Sequence, residues 1–68
     1  MKGLKKMYRV ILYRDNIQID EFTDDLMSRA VDRATKRGEA GDLMYVWDVI
    51  QTADGQYEEI GCDLRVTL

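Results

Sequence analysis

The sequence predicts an α+β fold in the order β-β-α-β-β, a four-stranded and mainly antiparallel sheet with one helix packed on one face. Three observations lead there. Only one stretch, about 23–37, repeats its apolar residues at helical spacing. The segments on either side are β-prone, and most alternate apolar and polar residues. Each flank also holds a compact turn signal, Asp15-Asn16 before the helix and Asp54-Gly55 after it.

The first strand is "MYRVILYR", Met7–Arg14, with Tyr8, Val10 and Leu12 on one face and Met7, Arg9, Ile11 and Tyr13 on the other. Asp15 and Asn16 both tolerate positive φ, so "IQID" (17–20) returns as a hairpin partner. Thr23 has the chemistry of a helix N-cap, and Asp24 and Asp25 follow where negative charge suits the helix dipole. Phe22 and Met27 have the spacing of a hydrophobic staple across that cap. Leu26, Met27, Ala30, Val31 and Ala34 then form one apolar stripe, with Lys36 and Arg37 in the last turn and Gly38 as the stop. "LMYVWDVIQ" (43–51) is the third strand. The fourth, about 56–67, sets Ile60, Cys62, Leu64 and Val66 against Glu59, Gly61, Asp63 and Arg65. Residues 1–6 read as a flexible leader and 7–68 as one domain.

Size and composition restrict what such a domain does. At 68 residues the chain is near the lower limit for folding on a single core, so a partner copy is the expected source of extra stability. Cys62 is the only cysteine and histidine is absent, which leaves no intrachain disulfide and no ordinary zinc site. A lone cysteine suits a reducing, cytoplasmic setting. The net charge of −3 is spread through the chain and disfavours a protein that binds nucleic acid by neutralising phosphates.

One helix covers one face of a sheet, so the other face needs an occupant. Asp48 would be costly under the helix, which predicts that it points away and that Trp47 packs beneath the helix with Leu26 and Val31. The far face would then show Met7, Arg9, Ile11, Tyr13, Met44, Val46, Asp48 and Ile50. An apolar patch of that size is the expected partner surface, filled most simply by a second copy of the chain.

Other clusters have plainer explanations. Asp15, Asp20, Glu21, Asp24 and Asp25 form an acidic corner able to meet a basic groove, but acids are ordinary at a helix start, and the run lacks the calcium-loop spacing. Arg29, Arg33, Lys36 and Arg37 form a basic helix face that could contact phosphates. Asp25 and Asp32, each four residues before Arg29 and Lys36, are placed to pair with them. Cys62 alternates with Ile60 and Leu64 and so reads as a small buried hydrophobe. With no histidine to serve as base, a catalytic thiol has no support. The chain is therefore expected not to be an enzyme, and no cofactor is assigned.

Two resemblances add to this reading. From "RAVDRATK" and "VWDV" onward, the order of helix, tryptophan-bearing strand and alternating strand is similar to that of dodecins, small flavin-storing oligomers. That implies a planar ligand stacked on Trp47, with Tyr45 and Tyr57 near it. The extra N-terminal hairpin and the longer helix-to-tryptophan spacing depart from that pattern. In size and style the chain also resembles phage and mobile-element accessory proteins that bind and modulate a host protein, which implies a non-catalytic interaction module.

Overall fold

The computed structural model of the chain describes residues 5–68. Its elements are β1 (Lys5–Arg14), β2 (Ile17–Asp24), α1 (Met27–Arg37), β3 (Leu43–Gln51) and β4 (Tyr57–Thr67). The strands form one antiparallel sheet in the order β2-β1-β3-β4. This is the α+β architecture that the sequence predicts, with β3 bounded as expected. β1 starts at Lys5 rather than Met7, so the last two residues of the expected leader are strand; residues 1–4 of that leader lie outside the described residues.

The two hairpins follow from their turn residues. Asp15 and Asn16 adopt φ of 53° and 65°, the left-handed pair that matches the twist of a two-residue hairpin. The β3–β4 turn is longer. Gly55 donates to the Thr52 carbonyl at 3.0 Å with φ of 85°, a conformation that suits glycine.

The helix starts later than predicted. β2 continues through Thr23 and Asp24, and Leu26 stands at the N-cap without a side-chain cap. Asp24 acts from the strand end instead, accepting the Leu26 N–H at 3.0 Å. Phe22 is a strand residue opposite Val10, so it is no staple across a cap, although it and Met27 both pack on the core. Sheet pairing with β1 outweighs the local N-cap preference of Thr23.

Opposed residues on paired strands share a face. Val10 lies opposite Val46 and Phe22, and Leu12 lies opposite Met44. Val10, Leu12 and Val46 are fully buried, Met44 almost so, and Ala30 and Ala34 of α1 close over them with no exposed surface. The small alanine side chains let the helix approach the sheet closely. This inverts the expected faces of β3. Met44 and Val46 belong to the core and not to a partner surface, and Trp47 is on the side away from the helix.

Asp48 and Ile50 share the helix side with their partners Tyr8 and Lys6. The helix lies over β1 and β2, touches β3, and does not reach β4 among the described residues. Asp48 therefore escapes burial under it without turning away, and its carboxylate sits 3.8 Å from Lys6 Nζ.

β4 departs from simple alternation as well. Register shifts opposite Val46/Trp47 and Asp48/Val49 leave Asp63 and Ile60 outside the β3 ladder. Cys62 is consequently exposed rather than buried, and Ile60 and Leu64 keep 59% and 45% of their surface in solvent.

The far end of the core is closed by Leu68. Leu68 pairs by backbone with Gly41 and Asp42, each at 2.8 Å, and its side chain packs on the core cluster. Gly38 ends α1 with φ of −78°, so its need for glycine is one of space and not of handedness. A Cβ there would strike the Leu68 side chain and come within 3.2 Å of the Ala34 carbonyl. Gly38→Ala is expected to lower the melting temperature by about 5 °C, the usual scale for mild overpacking in a domain this small. Thermal denaturation followed by circular dichroism checks it; an unchanged or raised midpoint would contradict the close packing.

Candidate functional site

The side of the sheet away from α1 carries Met7, Arg9, Ile11 and Tyr13 from β1, as expected, and Leu43, Tyr45, Trp47 and Val49 from β3 in place of Met44, Val46, Asp48 and Ile50. No other element lies over it among the described residues. Met7, Ile11, Tyr13, Leu43, Tyr45 and Trp47 are all half-buried, their flanks shielded by one another while their outer surfaces meet solvent.

Two sub-regions differ in chemistry. Around Tyr13 and Tyr45 the face is aromatic: the rings meet edge to face at 5.4 Å, and the Arg65 guanidinium stands 5.9 Å from the Tyr45 ring. Around Arg9 it is ionic. Nη1 of Arg9 donates to Glu59 on β4 at 3.1 Å, and its Nε lies 3.0 Å from Glu21 on β2, off the line of a hydrogen bond. The guanidinium also sits 5.6 Å from the Tyr57 ring.

That reach has a structural effect. β1 and β4 are separated by β3, so Arg9 must cross two interstrand spacings, roughly 10 Å, to meet Glu59. Its path passes over β3 between its own partner Trp47 and Glu59's partner Val49. Val49 is fully buried although it is outside the core beneath the helix; Met7 and Glu59 lie opposite it on the neighbouring strands, and the ion pair of Arg9 with Glu59 spans the sheet beside it.

The acidic corner is not a single patch. Glu21 faces the open side with Arg9; Asp20 pairs with Arg37 at 3.2 Å; Asp24 is almost buried beside Arg33 at 3.5 Å; Asp25 is 3.9 Å from Lys5. Asp15 occupies the hairpin turn. The Leu26 N–H, followed by Asp25 and the nearby Arg29 and Arg33, holds the Asp24 carboxyl below its ordinary range. The basic helix face is engaged by the same pairs. Lys36 meets Asp32 at 3.1 Å as its spacing predicts, whereas Asp25 precedes the helix and is paired to Lys5 and not to Arg29.

Two carboxylate arrangements escaped the sequence reading. Arg14 grips Asp42 through two hydrogen bonds of 2.9 and 2.8 Å, and Asp42 also accepts the Glu39 N–H at 2.8 Å. The Arg14 contact, reinforced by that N–H, pulls Asp42 down to about 2. Nothing in the local sequence links residues 28 positions apart; only the strand register brings them together. On the helix side, beyond the end of α1, Asp63 meets Asp48, and this shared contact raises the Asp63 carboxyl above its ordinary range.

The site so defined is an uncovered antiparallel sheet face on a small α+β domain. Compared with family models, curated proteins and solved structures, the chain matches none. Among the described residues, no group of three His, Cys, Asp or Glu side chains could hold a metal ion, and no helix is long and apolar enough to cross a membrane.

Proposed function

We propose that the chain is a non-catalytic interaction module whose uncovered sheet face binds a protein partner. The observation that carries this reading is the row of half-buried Tyr13, Tyr45 and Trp47 on a face that no element covers among the described residues. Tyrosine, tryptophan and arginine are the residues enriched where proteins anchor one another, and Arg9 and Arg65 stand beside the aromatic row. The face carries both signs of charge, which supports a mixed protein surface as its occupant more than a polyanion. A single cysteine supports a reducing, cytoplasmic setting. A role as a small accessory protein that modulates a host protein fits this surface.

The test is capture from cell lysate with immobilised chain, followed by identification of the retained protein. Tyr45→Glu and Trp47→Ala are expected to lose it, while Arg33→Glu on the opposite side keeps it. Equal retention by all three variants would remove the open face from consideration.

The position of Trp47 favours one second reading, a planar ligand such as a flavin stacked on the aromatic row. Quenching of tryptophan fluorescence by flavin at micromolar concentration would support it over a protein partner.

A further inference from the structure

The two edges of the sheet are unequal. β2 carries Asp20, Glu21 and Asp24 and no basic residue, so it repels another copy of itself. β2 has no base to offer the acids of β4, so a β2–β4 contact matches Arg65 with an acid at most once and a head-to-tail filament is disfavoured, whereas β4 against its own copy can make that match twice. β4, by contrast, exposes Ile60 and Leu64 along an edge of 11 residues that, among the described residues, pairs with β3 alone.

We propose that β4 pairs with β4 of a second copy across a twofold axis at Cys62, joining two four-stranded sheets into one. An antiparallel strand paired with itself allows only registers in which two residue numbers have a constant sum. Centring on Cys62 sets Glu59 opposite Arg65 and Ile60 opposite Leu64, each twice by symmetry. Centring on Gly61 instead sets Glu59 against Asp63, and centring on Asp63 sets that carboxylate against its own copy. Registers between residues place Ile60 against Asp63 or against Arg65. A register centred on Leu64 also sets Asp63 against Arg65 and apolar against apolar, but it pairs only residues 61–67 of the strand; the Cys62 register makes such cross-strand pairs while engaging all of β4, 57–67.

The faces agree with this register. Glu59 and Arg65 both lie on the open side, where they contact Arg9 and Tyr45. A twofold axis normal to the sheet keeps like faces together, so both helices lie on one side and the two open faces become continuous. The bulges at Ile60 and Asp63 lie within the paired stretch and increase its local twist. This inference does not rest on the open face binding a protein, because it uses a different surface.

Sedimentation equilibrium of the full chain tests it, with circular dichroism melts showing which variants stay folded. The wild type is expected to be a dimer at micromolar concentration. Leu64→Lys, Ile60→Lys and Arg65→Glu are each expected to weaken association by on the order of tenfold or more, and Ile11→Glu, on β1 of the open face, to leave it unchanged. Directly opposed residues of antiparallel strands are about 4.5–5.5 Å apart at Cα, within disulfide range. Diamide is therefore expected to link Cys62 to its copy, the two thiols giving up their hydrogens to reduce it to the hydrazine. A monomeric wild type would overturn the proposal. So would a folded Leu64→Lys chain that stays fully dimeric, a dimer lost only in Ile11→Glu, or a dimer that diamide does not cross-link.

Discussion

Val46→Asp is expected to leave the chain unfolded at room temperature, while Tyr45→Asp one residue earlier keeps a cooperative thermal melt. Val46 is fully buried beneath the helix, with Val10 opposite it on β1 and Leu64 on β4. A carboxylate there has no cationic partner, and an unpaired buried charge costs several kcal/mol. A domain of this size holds only about 3–5 kcal/mol in reserve, so the loss is decisive. Tyr45→Asp instead removes an edge-to-face contact with Tyr13 at a surface that water already reaches, a loss of about 0.5–1.5 kcal/mol. Circular dichroism of both variants is the measurement. Equal loss of structure would mean that the helix covers the tryptophan side after all.

Asp42→Asn is expected to lower the melting temperature at neutral pH by on the order of 10 °C and to flatten the acid limb of the stability profile. Asp42 is 2% exposed and holds the loop between α1 and β3 to Arg14 and Glu39. Its folded value of about 2 is below the ordinary 3.8. The stability it supplies is therefore complete above the ordinary value and is lost as pH falls through about 2. Asp24 and Asp54 are lowered in the same sense, so the variant keeps part of the acid sensitivity. Asp63 acts oppositely: its raised value means that its contribution is complete at low pH and lost as pH climbs through that raised value. Melts from pH 2 to 7 on wild type and variant check both signs; parallel profiles would deny Asp42 its role.

Local chemistry made much of the fold legible. Asp15-Asn16 and Asp54-Gly55 marked both hairpins because few residues tolerate the backbone those turns need. The stripe through Ala30 and Ala34 marked the helix and its buried side. What failed was the side of β3. A helix that covered the whole of that face would force Asp48 to turn away. The helix is short and sits over β1 and β2, which leaves Asp48 on the helix side beside Lys6, clear of the helix although its carboxylate is largely shielded from water. Cys62 failed for another reason: two bulges break the alternation that assigned it, and an unpaired residue in a ladder leaves little trace in composition. Tyr13, Ile11 and Arg9 were placed on the open face because β1 alternates without interruption there.

The offset of the helix leaves the sheet two layers thick on one half and one layer thick on the other. β1 and β2 are locked by side chains from above, whereas the outer part of β3 and β4 as far as Val66, which still packs on the core, are held mainly by ladder bonds and by Arg9 reaching across to Glu59. Such a chain need not come apart all at once. The β4 margin can detach while the helix and its two strands persist, which makes it a region of low local stability joined to a firmer nucleus.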